Sequence, residues 1–504
     1  MHVYQEARTE KVNSRLENID DILIQTYSSY PVDFWDFRNM DVRSHVHGLH
    51  NYPATMIYPI TQSIINVHKE HQNLETFLDP YCGSGTGLVE AYLGDFKTVY
   101  GTDLNPLARL ISRVKSSPIE PRTLSAQITN FIEMIEFNFN ELRNVRDGFE
   151  EHVQVYLNLD VVDRSGLWAK NAPSIATEYL HENFIDMPFP VIENLGYWFK
   201  PIPLLELQII KSCIGNLDIQ NEVDMKIRDF FWVTFSETVR QCSNTRNGEF
   251  KSYRIKAEKI PSFNPNVLQI FLNNLHKNEE KMNQFWELSQ TKDYPNTNVV
   301  VFNNDARFLN DIPDNSVDLV VTSPPYGDSS TTVAYGQYSR PALEWIDLEQ
   351  TLEAHGLDQK EIKSIDKKLL GGAYDKKTEL SFTLNSPTLN NLISEIALVD
   401  NARAKEVYQF YVDLNESLKS ITKKTKPNSY QYWVVGNRTV KKVKLLTHQI
   451  LIELGGNMNL KHVTTLYRSI PNKVMPHQNS PTNVAGELVS TMTDEHIVVF
   501  RNDI

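Results

Sequence analysis

Short, mostly β-branched apolar runs recur along the chain. They cover residues 76–79, 98–102, 298–302, 317–321, 430–435, 463–467 and 497–500. Runs this short with little polar alternation suit strands buried on both faces of a parallel sheet. Between them the apolar spacing lengthens to the three-to-four-residue period of helices, as over 56–67, 88–93, 128–142, 306–312 and 445–454. Strands alternating with helices predict an α/β architecture. Residues 116–297 break the alternation with helical periodicity and interleaved aromatics, so they read as a large, mostly helical insertion. Residues 347–400 read as a second, smaller helical insert with a break at Gly371-Gly372. Residues 1–44 form an arm that ends in the aromatics Tyr30, Phe34, Trp35 and Phe37.

Composition narrows the class. With 504 residues and 41% hydrophobic content the chain can build two or three domains around a sizeable core. Its three cysteines, Cys82, Cys213 and Cys242, lie far apart and have no metal-ligand spacing. They predict neither a disulfide framework nor a metal site, and fit a reducing compartment. The polar N-terminus lacks the apolar core of a signal peptide, and no apolar run reaches the length of a membrane span. The net charge of −13 argues against nucleic acid as a partner only as a whole-chain sum. Between residues 419 and 473 there are 11 Lys and Arg against the single acid Glu453, a local charge of +10. Ser236 to Lys259 adds six Lys and Arg against three Glu, interleaved with amides and a Tyr.

Candidate chemistry gathers at strand ends. The run 317–321 stops at Thr322-Ser323-Pro324-Pro325-Tyr326. Two prolines fix φ and remove donors, which leaves a rigid, carbonyl-rich turn at the carboxyl end of a strand, where open α/β sheets bind ligands. Ser323 and the backbone carbonyls can accept hydrogen bonds from an exocyclic amine, and the Tyr326 ring can cover a planar base. Earlier, Asp79-Pro80-Tyr81-Cys82-Gly83-Ser84-Gly85-Thr86 links a strand to a helix through a glycine turn. Such a turn lets backbone approach a ligand and offers a helix N-terminus to a carboxylate. About 20 residues on, the second strand ends in Asp103, an acid placed to accept ribose hydroxyls, followed by Asn105-Pro106. The strand at 298–302 ends in Asp305-Ala306.

The Ser-Pro-Pro-Tyr turn and the Asp-Pro-Tyr-Cys-Gly-Ser-Gly-Thr loop together resemble the signatures of DNA amino-methyltransferases. The resemblance implies a Rossmann-like class I methyltransferase sheet interrupted by a large, mostly helical inserted domain, with S-adenosyl-L-methionine as cofactor. It divides the chain into a cofactor half (45–115), an inserted target-recognition domain (116–297), a catalytic half (298–346), the insert 347–400, and a C-terminal part (401–504) with a basic rim facing DNA. It implies cofactor contacts from Tyr52 and Pro53, from Asp79, Pro80, Cys82, Gly83, Ser84, Gly85 and Thr86, and from Asp103, Asn105, Asp305 and Ala306. Catalysis falls to Ser323, Pro324, Pro325 and Tyr326, acting on a base flipped out of double-stranded DNA. Family members often carry Lys and an aromatic after the Tyr-Pro-Ala turn, where Thr55 and Met56 stand here. Arg240, Arg246, Lys251 and Arg254 in the insertion, with Arg438 and Lys473, are the expected DNA contacts. The loop after Tyr326 is a candidate for closing over the base.

Ser before Pro-Pro-Tyr leans toward N4 of cytosine, and Asp or Asn there toward N6 of adenine. A carbon-5 cytosine enzyme needs a Cys nucleophile in a Pro-Cys turn, and no cysteine here follows a proline. Methylation of RNA or of a protein amide stays open, since the same turn holds other amides. A non-catalytic cofactor- or DNA-binding subunit is disfavoured by the intact pairing of loop, acid and turn. A nicotinamide dehydrogenase leaves the Ser-Pro-Pro-Tyr turn unexplained. The resemblance also implies a cytoplasmic bacterial or archaeal setting and a cognate restriction endonuclease, with no membrane and no metal.

Overall fold

The computed structural model describes residues 18–157, 164, 166–190, 192–246, 252–327, 334–351, 359–372, 379–470, 478–479, 489–490 and 494–503. Seven strands form its main sheet: β1 (Thr76–Asp79), β2 (Thr98–Thr102), β3 (Asn298–Phe302), β4 (Val317–Thr322), β5 (Thr425–Gly436), β6 (Leu460–Ser469) and β7 (Asp494–Asn502). Their spatial order is β3-β2-β1-β4-β5-β7-β6. Every pairing is parallel except those of β7, which runs antiparallel between β5 and β6. The sequence order reverses between β1 and β4. That switch point opens a crevice at the carboxyl ends of both strands.

The register sets what faces the crevice. Phe77 pairs with Leu319 and Leu78 with Val320, so Asp79 and Thr322 arrive side by side. The Thr322 hydroxyl donates to Asp79 Oδ1 at 2.7 Å. All of Val317, Leu319, Val320 and Val321 are fully buried, as a two-sided parallel strand requires.

Helices of the insertion span Pro121–Glu141, Arg143–Leu157, Leu167–Glu182, Leu195–Trp198, Pro201–Gly215, Glu222–Cys242 and Val267–Ser289. Their apolar faces meet in one cluster, where Phe131 stacks on Phe231 with centroids 4.2 Å apart. The same cluster contains Leu107, Leu110, Ile111 and Val114 of the helix Pro106–Lys115, and Tyr338 and Trp345 of the helix Tyr335–Trp345. The insertion is therefore fused to the sheet by shared apolar burial, the dominant favourable term in folding. The arm packs directly on the sheet: Leu23, Tyr27 and Trp35 join Tyr430 and Tyr432 of β5. Asp20 accepts from the Tyr430 hydroxyl at 2.8 Å and pairs with Lys461.

Two local expectations differ from the fold. Residues 306–312 run as turns rather than a helix. Seven residues stopped by Pro313 gain too few helical hydrogen bonds to offset nucleation, and Asp305 takes the Arg307 amide instead. The helix expected over 445–454 takes in Gly455-Gly456 as well. It spans Thr447–Gly456, with Gly455 packed on Phe500.

Candidate active site

An open cavity lies at the switch point, where α/β sheets bind their ligands. Its floor is the turn after β1. Gly83 and Gly85 both adopt positive φ, +49° and +81°, and the Gly85 amide donates to the Cys82 carbonyl at 2.7 Å. This tight turn places Asp79, Pro80, Cys82, Gly83, Ser84 and Thr86 on the cavity wall. Gly85 itself turns away and lies against the helix Pro106–Lys115, where a Cβ would come within 2.6 Å of Ser112.

The acids of the site differ in how they are held. Asp103 caps the turn from the tip of β2: its carboxylate accepts from the amides of Gly83 at 3.1 Å and Asn105 at 2.7 Å. Burial raises its pKa, opposed by those hydrogen bonds and by Arg109. Burial also pushes the Asp79 carboxyl up to about 7, against the pull of the Thr322 hydroxyl and the Tyr81 amide. Asp305 is clamped by Arg307, whose Nε reaches both carboxylate oxygens at 3.0 Å, and Arg307 continues to Asp413 at 3.1 Å. Asp305 and Ala306 line the cavity.

Tyr52 and Pro53 close another side. Asn105 is an expected cofactor contact. It lines the cavity but uses its side chain for support. Oδ1 caps its own helix at Leu107, while Nδ2 donates to Tyr52 Oη at 3.0 Å and Ser339 Oγ at 2.6 Å. Tyr335 lies near-parallel to Tyr52 and joins the wall. Sequence reasoning missed Lys368, Leu369 and Leu370, which complete the cavity. They come from the smaller helical insert, just before its Gly371-Gly372 break. Arg307 donates to the Lys368 carbonyl at 3.1 Å, and Asp413 accepts from the Gly371 amide, which together bring that segment in.

From the Pro-Pro turn, Ser323 and Pro325 line the cavity, while Pro324 and Tyr326 lie beside it. The Ser323 hydroxyl donates to Tyr326 Oη at 3.2 Å, and Tyr326 donates to Glu495 Oε1 at 2.9 Å. Glu495 is in turn paired with Arg468. Of the loop after Tyr326, residues 328–333 lie outside the described residues.

The expected DNA contacts scatter. Arg240 is only 6% exposed, with its guanidinium 4.1 Å from the Tyr338 ring centroid. That position packs the insertion against the helix Tyr335–Trp345 and leaves little of Arg240 at the surface. Arg246 is exposed, and its amide donates to the Tyr253 carbonyl at 2.8 Å. Arg254 covers Tyr197 at 3.9 Å. Thr245 and Arg254 form a β-bridge that brings these arginines and the half-exposed Tyr253 together. Lys251 and Lys473 lie outside the described residues. Arg438 sits against the Pro-Pro turn, its guanidinium filling the space a side chain at Gly327 would take.

Much of the basic rim is ion-paired. Lys423 and Lys424 bind Asp314, Lys426 binds Asp318, Lys441 binds Asp400 and Lys461 binds Asp20. Acids distant in sequence thus neutralise much of the +10 segment. No metal site was expected, yet His45, His47 and Glu90 bring ligand-type atoms within 4.8 Å of one another. They lie off the cavity wall, with His47 Nε2 hydrogen-bonded to Glu90 at 2.7 Å. Among the described residues no helix is long and apolar enough to cross a membrane.

A parallel sheet with one reversed strand, and a glycine-turn cavity at its switch point, place the fold in the Rossmann-like methyltransferase class. The chain is 37% identical over 474 residues to the Type II methyltransferase M.MvaI of Kocuria varians, an alignment covering 93% of each protein. The chain belongs to the type II methyltransferases. No family model matches it.

Proposed function

We propose that the chain is a site-specific DNA methyltransferase of a restriction-modification system. It carries a methyl group from S-adenosyl-L-methionine to N4 of a flipped cytosine. The observation that carries this reading is the meeting of the glycine turn, Asp103 and Ser323 on one cavity wall. The cofactor fits that wall chemically. Asp103 presents a carboxylate to ribose hydroxyls, Asp79 an acid to a cation, and Tyr52 and Tyr335 apolar rings to adenine. When bound, the cofactor supplies an electrophilic methyl group on a sulfonium.

The protein's part is orientation and electrostatics. An exocyclic amine is a poor nucleophile because its lone pair is delocalised into the ring. Hydrogen bonds from its N–H groups to Ser323 Oγ and the Pro324 carbonyl localise that lone pair. The partly buried Tyr326 ring covers the base. The insertion supplies target recognition, with Arg246, Tyr253 and Arg254 as its nucleic-acid-facing group, and Arg438 meets the strand at the mouth of the turn.

Labelled S-adenosyl-L-methionine incubated with unmethylated bacterial DNA, and separately with RNA, tests this reading. Label is expected in DNA. Label confined to RNA or to protein would overturn it.

Asp79 makes cofactor affinity depend on pH. With its carboxyl near 7 in the free protein, Asp79 is largely protonated in mild acid, whereas a cationic ligand selects the carboxylate. Binding then releases a proton, so the Kd rises toward tenfold per unit below about pH 7 and is flat above it. For folding the sign is opposite. The folded pKa lies above the unfolded one, so this group's contribution is full below the unfolded value and is lost as pH rises through about 7. Calorimetric titration on both sides of neutrality, with Asp79→Asn as control, measures the slope.

A further inference from the structure

We propose that Ser323, Tyr326 and Glu495 form a one-way proton relay that drains the target amine during methyl transfer. This rests on the function proposed above. The hydrogen bonds have one direction: the Ser323 hydroxyl donates to Tyr326 Oη at 3.2 Å, and the Tyr326 hydroxyl donates to Glu495 Oε1 at 2.9 Å. Ser323 lines the cavity, whereas Tyr326 and Glu495 do not. With its proton turned inward, Ser323 Oγ presents lone pairs to the cavity, the polarity needed to accept from an N–H. The chain ends on an acceptor, because Glu495 lies on β7 at 9% exposure.

The chemistry closes. Methylation of an exocyclic amine forms one N–C bond at the expense of the donor's S–C bond, and the nitrogen sheds one proton. Ser323 Oγ takes that proton as its own passes to Tyr326 Oη, and the Tyr326 proton passes to Glu495, which ends neutral. A nitrogen carrying both methyl and proton is a strong acid, so transfer to a carboxylate runs downhill. Tyr326 serves as conduit and not as base: burial, followed by the neighbouring Glu495, pushes its hydroxyl well above the usual tyrosine range. Arg468 pairs with Glu495 and donates through Nε to the Trp35 carbonyl at 2.9 Å, which fixes the acid in place. The Ser469 amide donates to Asp36 at 2.7 Å and ties the same strand end to the arm. Glu495 is thus a positioning residue that acts through Tyr326 and lies 169 residues from it in sequence.

The relay separates from a structural role by which substitutions the site tolerates. Tyr326→Phe keeps the ring but cuts the chain. Glu495→Gln keeps an acceptor for the Tyr326 hydroxyl but cannot take its proton. Single-turnover transfer to DNA is measured for wild type and both variants in light and heavy water, with cofactor and DNA affinities alongside. Each variant is expected to be slower by at least about tenfold, toward the range of general-base effects, with both affinities unchanged. The wild type is expected to show a normal solvent isotope effect that the variants lose. In the ligand-free protein, carbon NMR of labelled tyrosine is expected to show the Tyr326 resonance shifting in Glu495→Gln. Should Glu495→Gln fail to fold, Tyr326→Phe, which removes a single hydroxyl, decides alone. Folded variants that match wild-type rates overturn the relay and leave the methyltransferase reading standing. A wild type that transfers nothing to DNA overturns both.

Discussion

Replacing Ser323 and Tyr326 together by alanine lowers methyl transfer to DNA by at least about 10³-fold, while cofactor affinity stays within a factor of about three. Ser323 is the side chain of the turn that reaches the cavity with a hydrogen-bonding group, and Tyr326 is the ring bonded to it. The double variant removes the acceptor that localises the amine's lone pair and the surface that holds the base, so it strikes the chemical step. The cofactor wall depends on other residues: Asp103 is fixed by the Gly83 and Asn105 amides, and Asp79 by Thr322. Calorimetry with S-adenosyl-L-methionine should therefore match wild type. A parallel loss of cofactor affinity would mean that turn and cavity do not act separately.

The second large effect is in the loop. Gly85→Ala is expected to destabilise the protein by about 2–5 kcal/mol, from the left-handed backbone and from overpacking together, and to abolish cofactor binding. Its φ is +81°, and a Cβ there would lie 2.6 Å from Ser112 Cβ and 2.8 Å from Ser112 Cα. A backbone atom inside a packed helix cannot step aside, so the loop must move, and the Cys82–Ser84 wall moves with it. Gly83→Ala is the control. Its φ is +49° with nothing within 4 Å of the added carbon, so it meets strain of about 1–2 kcal/mol without a clash. Thermal melts with and without cofactor separate the two. Equal behaviour of both variants would show that backbone conformation alone, not contact with Ser112, governs the loop.

Much of this site is written in short-range sequence. Proline and glycine act on their own backbones, so the turns at Pro324-Pro325 and Gly83–Gly85 are legible wherever they occur, and the strand ends that carry Asp103 and Asp305 follow from their apolar runs. What stays hidden depends on partners far away in the chain. A charge sum over residues 419–473 cannot show that Asp314, Asp318 and Asp400 stand opposite its lysines. The composition of the Arg240 region gives no sign that its guanidinium is buried against Tyr338. Likewise nothing near Tyr326 announces Glu495, and nothing in the mixed charges of the 347–400 insert announces that Lys368–Leu370 close the cavity.

The nitrogen that receives the methyl group decides between these chemistries. Bacterial DNA treated with the protein and S-adenosyl-L-methionine is digested to nucleosides and analysed by mass spectrometry. The Ser323 turn predicts N4-methylcytosine, absent when the Ser323→Ala/Tyr326→Ala variant is used. N6-methyladenine in its place would contradict the assignment of the base, and 5-methylcytosine would contradict the mechanism.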